Sequence, residues 1–427
     1  QISLLAQLDA VNLKCEYLMN PCGIDVQNPR LSWELLSTLK GQKQTACQIL
    51  VSSSEKLLDA IKGDLWDSGK IESDRSVHLP YRGRKLKARE KVYWKVRIWD
   101  QKGNPSPWSK TASWEMGLDS ADWEAEWIGL DQYEKVKPQG MSPAIYFRKI
   151  TELPRQIKNA RAYISGLGYY ELSINGSKVG DHVLSPNHTN YDRRQSPADF
   201  DEKEVSNMST RVLYETWDIT SLLKQGENTF EVCLGSGWYF QNEREENLPY
   251  SYDTPRFIAQ FELDYEDETR ESILSNESWD AAFGPIVHNG IYSGEIYDAR
   301  LEEGMWKDSS QNQRSQLKAI QVRPPEGELM AQISPPDRPT RTIKPLSMTV
   351  PAEDIYSYDL GEMISGWARL QVNGPRGTVI TMNFIEEAGS GYGQTDSYIL
   401  KREGNEIWEP RFTWHAFRTI DVISPLP

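Results

Sequence analysis

The sequence predicts an all-β protein built from several β-sandwich domains, and three observations carry that prediction. Residues that favour strands are abundant, with 15 Trp and 20 Tyr in 427 residues. Gly (29) and Pro (24) break the chain into short segments along its whole length. Period-2 alternation of apolar residues recurs, whereas no long stretch has the 3.6-residue apolar period of an amphipathic helix. At roughly 150 residues per domain the length accommodates about three domains, each large enough for its own core.

The first module holds the clearest strand. In "KVYWKVRIWD" Val92, Trp94, Val96 and Ile98 share one face, and Tyr93, Lys95, Arg97 and Trp99 the other. The turn-rich "DQKGNPSPWS" and the strand-like "ASWEMGL" come next, a hairpin suited to an immunoglobulin-like sandwich. Upstream, "SSSEKLLDAIKG" predicts a short helix with a Ser52–Glu55 capping box, apolar Leu57, Leu58 and Ile61, and a stop at Gly63. A second module begins near Met141. Its "GYYELSINGSKVGD" alternates Tyr170, Leu172 and Ile174 into Asn175-Gly176, a pair that tolerates the positive φ of a two-residue hairpin turn. Farther on, Asp218 caps one predicted helical turn through Leu222 and Leu223, Gly226 ends it, and a strand runs through Phe230 and Val232. The acidic "QSPADFDEKEVSNMST" reads as a surface insertion. The Pro-rich "RPPEGELMAQISPPDRPTR" reads as an extended connector to a third module. There Leu370 and Val372 lead into Asn373-Gly374-Pro375, and Val379 through Phe384 leave it, which predicts another hairpin.

Charge and motifs exclude several function classes. With 62 acidic and 48 basic residues the net charge is −14, which disfavours nucleic acid as a partner and suits an uncharged ligand. There is no run of about 18 apolar residues, and the mean hydropathy is −0.63, so no helical membrane span is expected. Cys15, Cys22, Cys47 and Cys233 lack the spacing of a zinc site and are expected as packed thiols. The five histidines form no HExxH motif. Phosphate-loop, Rossmann and serine-hydrolase motifs are absent, and the Gly-rich "AGSGYGQ" comes after "NFIEE" rather than opening a helix. The four Asn-x-Ser/Thr triplets at Asn175, Asn187, Asn207 and Asn276 are read as chance occurrences.

Glycoside hydrolysis needs two carboxyl groups roughly 5 to 9.5 Å apart across a sugar. Glu386 and Glu387 are adjacent and point to opposite faces of a strand. Glu295 and Asp298, set among Tyr292 and Tyr297 in "HNGIYSGEIYDAR", fit either ligand orientation or a junction hydrogen-bond network. No pair stands out as catalytic. Holding a sugar needs a flat aromatic and amide or carboxylate groups for the hydroxyls. "SPNHTNYDRR" supplies Asn187, His188, Asn190, Tyr191 and Asp192 in one loop, and "GSGWYFQNE" adds Trp238, Tyr239 and Asn242. Asn187, Asn190, Tyr191, Trp238 and Asn242 are the candidate saccharide ligands; core aromatics and turn-forming asparagines are the structural alternative.

Taken together, several stretches resemble the bacterial α-L-rhamnosidases. "NPCGIDVQNPRLSWEL", "QTACQILVSS", "LWDSGKIESD", "VYWKVRIWD" and "WIGL" resemble the family's N-terminal fibronectin-III-like part. "INGSKVGDHVLSPNHTNYDRR" and "YETWDITSLLKQGENTFEVCLGSGWY" resemble its carbohydrate-binding-module-like jelly-roll. "GEIYDAR", "YDLGEMISGWARLQVNGPRGTVI" and "EPRFTWHAFRTIDV" resemble its concanavalin-like sandwich. The resemblance implies a fibronectin-III-like sandwich over 1–118, a jelly-roll over 143–300, and a concanavalin-like sandwich over 301–427 together with 119–142. In such enzymes the acidic residues of a helical (α/α)6 toroid hydrolyse the rhamnoside, and the toroid comes after the concanavalin-like sandwich. Neither the toroid's long helices nor its "DCPxRxERxGWxGD"-like stretch occurs in these residues. The expectation is therefore a non-catalytic N-terminal part of an inverting glycoside hydrolase. It would contact L-rhamnose-containing oligosaccharides or glycosides, with Ca2+ as a candidate ion, a C-terminal catalytic domain as partner and a periplasmic or secreted location. A self-contained lectin-like binding protein is the alternative. Where the family commonly has Pro-Gly-Trp-Thr, this chain has Pro186-Asn187-His188-Thr189, which removes one stacking aromatic.

Overall fold

A computed structural model describes residues 8–192, 210–240, 252–306, 317–386 and 394–426. The "QSPADFDEKEVSNMST" insertion (except Thr210), the Gly-rich segment at 388–393, and Glu387, Asn207 and Asn242 lie outside the described residues. The regular secondary structure of the described chain is almost entirely strands, and the chain divides into two compact units. None of its helices is long and apolar enough to cross a membrane.

The first unit comprises residues 1–123 with two short returning segments, 215–217 and 330–335. Strands Asp9–Cys15, Arg30–Leu36 and Leu79–Pro80 form one antiparallel sheet. Ala46–Ser52, Lys91–Trp99 and Ala112–Glu115 form the body of the other. The alternation read in Lys91–Trp99 is realised, because Val92, Trp94, Val96 and Ile98 are each fully buried. With Trp33 and Trp114 they fill the space between the sheets, and each such side chain contributes on the order of 2–3 kcal/mol of burial.

The short helix spans Glu55–Asp59, but its cap is Ser54, whose side chain accepts from the Leu57 N–H at 3.4 Å. Ser52 instead donates to Asp64 Oδ1 at 2.5 Å. Nor does Gly63 end the helix. Ile61, exposed and left-handed at φ 58°, breaks it two residues earlier.

The second unit contains two sandwiches. In the first, one layer runs Ser177–Lys178, Tyr170–Ile174, Gly226–Leu234, Ile145–Leu153 and Asp280–Phe283. Pairing continues through Leu317–Gln321 and Ile128–Leu130 into Arg256–Tyr265 and Ile157–Leu167, which form the facing layer. Rings interdigitate across the middle, with Phe147 against Phe257 at 5.0 Å and Phe230 against Phe261 at 4.7 Å. Asn175 and Gly176 adopt φ 52° and 79°, as the hairpin requires. The Asn175 side chain also donates to Leu222 O and accepts from the Thr229 N–H. The predicted helical turn after Asp218 is a single 3₁₀ turn, Thr220–Leu222, held by Asp218 Oδ1 accepting from the Thr220 N–H and hydroxyl.

The other sandwich is built on one sheet ordered Ile286–Gly290, Gly294–Asp298, Thr395–Ile399, Val379–Ile385, His415–Ile423, Ile355–Gly366 and Ser347–Ala352. Three pairings depart from the sequence reading. Leu370–Asn373 does not pair with Val379–Ile385 across the predicted Asn373-Gly374-Pro375 turn; it pairs with Asn405–Trp408 as a separate ribbon. Ile128–Leu130 joins the jelly-roll strands rather than the concanavalin-like sheet, and Ile286–Asp298 does the reverse. Turn and linker composition marks where the backbone changes direction, but it does not say which sheet completes a strand's hydrogen bonds.

Candidate saccharide-binding cleft

The loops that end the jelly-roll strands meet the concanavalin-like sandwich around a cleft of 470 Å³. Each wall is set by local structure. After the Asn175–Gly176 hairpin the chain bonds back to its own domain, the Tyr170 N–H donating to Ser185 O at 2.8 Å. Between them Leu184 is left-handed at φ 50°, a strained position for a branched side chain, and it lines the cleft beside Asn187 and His188. A second loop leaves strand Gly226–Leu234 through Gly235, where a Cβ would stand 2.4 Å from the Phe412 ring, so only glycine fits. The Ser236 N–H then donates to the buried Asn289 Oδ1 at 2.7 Å, and Asn289 Nδ2 donates to Ser142 O at 2.8 Å. This anchorage presents Trp238, half-buried, edge-on to Tyr292 at 5.1 Å and tilted against His188 at 5.7 Å.

The opposite wall comes from the concanavalin-like sandwich. Trp367 lies at the end of strand Ile355–Gly366, and Trp414 immediately precedes strand His415–Ile423. Trp367 Nε1 donates to Glu409 Oε2 at 2.8 Å while Arg369 holds the other oxygen at 2.8 Å, which fixes the indole plane. Asp337 and Arg338 complete the lining. Arg338 pairs with Asp181 at 3.3 Å and lies 2.7 Å from His182 Nε2. Three indoles, Val183 and Leu184, and a few polar groups make a surface for the apolar faces and hydroxyls of a sugar. Asp337 is the only carboxylate among the described lining residues, so those residues do not supply the opposed acid pair that hydrolysis requires.

The sequence-derived ligands divide. Asn187 and Trp238 line the cleft. Tyr191 does not; it is fully buried, packed edge-on against Tyr239 at 5.4 Å and Tyr252 at 5.2 Å, and burial pushes its phenol well above the ordinary range. Asn190 is exposed outside the cleft, and its backbone carbonyl accepts from the Arg211 N–H at 2.8 Å. Asn242 lies outside the described residues. Trp367, Trp414, Asp337 and Arg338 were missed, although "EMISGWARL" and "EPRFTWHAF" each place a Trp at a strand end, where a side chain can leave the core. Among the described residues no group of three or more His, Cys, Asp or Glu stands ready to hold a metal, so a carboxylate-built Ca2+ site is not among them.

The acids flagged as a pair serve the interior. Asp298 forms a bidentate pair with Arg300 at 2.8 and 2.7 Å. Glu295 is fully buried, and its Oε2 accepts the Arg411 and Phe412 N–H groups at 3.0 and 3.3 Å. Burial, above all, pushes the Glu295 carboxyl up to about 8. Its own N–H donates to Asp396 Oδ1 at 2.8 Å, and Asp396 Oδ2 meets His415 Nε2 at 3.0 Å. These acids form a hydrogen-bond network inside the concanavalin-like sandwich, neither lining the cleft nor bridging two domains through these bonds.

Several β-sheets packed as sandwiches, with almost no helix, define the class as an all-β multidomain protein. The sequence comparisons make the class specific. Residues 10–120 match the Rha78A-like N-terminal immunoglobulin domain, residues 155–341 the α-L-rhamnosidase N-terminal domain, and residues 351–425 the bacterial α-L-rhamnosidase concanavalin-like domain. The chain belongs to the α-L-rhamnosidase family and carries its N-terminal domains. An α-L-rhamnosidase of Formosa agariphila is 34% identical, with 93% of this chain matching 44% of that protein. The α-L-rhamnosidase structure from Dictyoglumus thermophilum superposes with a TM-score of 0.83 at 38% identity, over 98% of this chain and 47% of that one. The Streptomyces avermitilis α-L-rhamnosidase solved with L-rhamnose gives a TM-score of 0.83 at 25% identity, over 98% and 56%. The chain thus spans about half the length of the relatives it matches.

Proposed function

We propose that the protein takes part in hydrolysing L-rhamnose-containing glycosides. In this reading a helical catalytic domain outside residues 1–427 breaks the bond, and the cleft between the jelly-roll loops and the concanavalin-like sandwich contacts the saccharide without cleaving it. The observation that carries this reading is the cleft's composition, three indoles with a single carboxylate. Val183 and Leu184 suit the C6 methyl group that sets a 6-deoxy sugar such as rhamnose apart from an ordinary hexose. A periplasmic or secreted location belongs to the same proposal, since plant and microbial rhamnosides are met outside the cytosol; cell fractionation tests it.

Residues 1–427 incubated with p-nitrophenyl α-L-rhamnopyranoside should give no turnover above buffer, and clear hydrolysis would overturn the division of labour. In calorimetry the same chain should bind an α-linked rhamnotriose, and Trp238→Ala should weaken that binding by on the order of tenfold, about 1.4 kcal/mol. Undiminished affinity in the variant would remove the cleft from the proposal.

A further inference from the structure

Outside the cleft, a two-residue turn at the end of strand Asp9–Cys15 in the immunoglobulin-like domain carries two consecutive left-handed non-glycine residues. Cys15 and Leu18 exchange both backbone hydrogen bonds, Cys15 N–H to Leu18 O at 2.9 Å and Leu18 N–H to Cys15 O at 3.0 Å. That leaves Glu16 and Tyr17 as the two turn residues, at φ 48° and 70°. Both are left-handed, the geometry in which Asn-Gly is the low-cost pair. An acidic residue followed by an aromatic one is among the unfavourable choices, because a Cβ crowds the next carbonyl.

Glu16 recovers its cost through structure. Its side chain is fully buried, accepting the Arg30 N–H at 2.6 Å and gripping the guanidinium through Nε and Nη2. Tyr17 finds its partners at the surface, in Arg30 and His78, rather than in the core. Its side chain is 52% exposed, and nothing in the core depends on it. What the fold does instead is hold the ring still. The Arg30 guanidinium, pinned by Glu16, lies 5.0 Å from the ring centroid, and His78, itself left-handed at φ 57°, meets the ring edge-on at 5.3 Å and 85°. An exposed aromatic held in one orientation at such a turn is a surface on which a ligand ring can stack.

We propose that Tyr17, steadied by Arg30 and His78, is a second saccharide contact, a platform for the apolar face of one pyranose of a rhamnose-containing glycan. The chemistry favours a sugar ring over an ion or a nucleotide. The platform offers one rigid aromatic, its cation is already neutralised by Glu16, and the chain as a whole is strongly acidic. The class of ligand rests on the rhamnoside reading above, whereas the location of the site does not.

The test titrates the full 427-residue chain, carrying 13C-labelled Tyr and Trp side chains, with α-linked rhamnotriose by NMR. Shifts are expected at Tyr17 as well as Trp238. Tyr17→Gly should abolish the first set and leave the second, with the melting temperature unchanged or raised by a few degrees, because glycine relieves the left-handed strain. A melting temperature lowered by Tyr17→Gly, with the titration unaltered, assigns the residue to structure and overturns the inference. Shifts confined to Trp238 overturn the platform and spare the cleft; shifts confined to Tyr17 do the opposite. No shift at either residue overturns both.

Discussion

Trp238 and Tyr239 are neighbours in the chain, yet the fold gives them opposite tasks. Trp238 is half-buried on the wall of a 470 Å³ cleft. Tyr239 is 1% exposed, stacked on Tyr252 at 5.5 Å and 8° and met edge-on by Tyr191. The same contrast runs along the preceding loop, where Asn187 and His188 face the cleft and Tyr191 closes the interior. Residue type therefore does not separate ligand-facing aromatics from structural ones in these loops. The backbone anchorage does, through Gly235 under Phe412 and the Asn289 bridge that orients the loop carrying Trp238. Substitutions on each side of this divide should give opposite signatures in stability and in binding.

The largest effect belongs to the interior side. Tyr239→Ala removes the centre of the Tyr191–Tyr239–Tyr252 cluster, and the cavity together with the lost burial should cost about 3–5 kcal/mol. Denaturant unfolding of the full chain measures it. A loss below about 1 kcal/mol would mean that these rings are not a packed cluster and that Tyr191 is available to a ligand after all.

A somewhat smaller effect, and one that depends on pH, comes from Glu295. Its carboxyl in the folded protein is pushed from 4.5 up to about 8, so the folded state holds a proton that the unfolded chain releases first. The stability contributed by the neutral carboxyl is complete below about pH 4.5 and is lost progressively as pH rises through about 8. The loss amounts to a few kcal/mol by the linkage relation. Glu295→Gln cannot ionise, so this part of the pH slope should vanish in unfolding measurements between pH 5 and 9. An unchanged slope would show that some other group carries it. Trp238, half-exposed at the cleft, should show no comparable pH signature.

Much of the fold could be read from residues, while only part of the site could. Lys91–Trp99 announced itself through strict alternation, and Asn175-Gly176 through the one dipeptide that suits two positive φ angles. The 370–385 region misled, because the turn falls at Arg376-Gly377 rather than Asn373-Gly374-Pro375, and the flanking strands find partners elsewhere. Sheet partnership is a long-range property with no local code. The capping serine was displaced by two residues for a similar reason, since Ser52 is claimed by Asp64 on the next loop. In the site, Asn187 and Trp238 were legible as polar-aromatic loop residues. Trp367, Trp414 and Arg338 come from sequence more than 90 residues away and reach the cleft only through the packing of two sandwiches.

The smallest expected change in stability is also the sharpest probe of the cleft. His188 is exposed, its ring already leans on Trp238 at 5.7 Å, and the resemblance to the α-L-rhamnosidases implies Trp at its place. His188→Trp adds surface at the rim without entering the core, so unfolding free energy should stay within about 0.5 kcal/mol of the parent. A second indole beside Trp238 enlarges the platform that a pyranose can cover, so affinity for α-linked rhamnotriose should rise severalfold in calorimetry. If affinity stays flat while Trp238→Ala still weakens binding, the sugar sits toward Trp367 and Trp414, and the rim beside His188 stays clear of it. If affinity falls, the imidazole itself donates to or accepts from a hydroxyl, and its loss in this chain would be a loss of specificity. Either outcome would redraw the cleft side of the comparison and leave the Tyr239 side untouched, because the two aromatic sets share a loop but not a face.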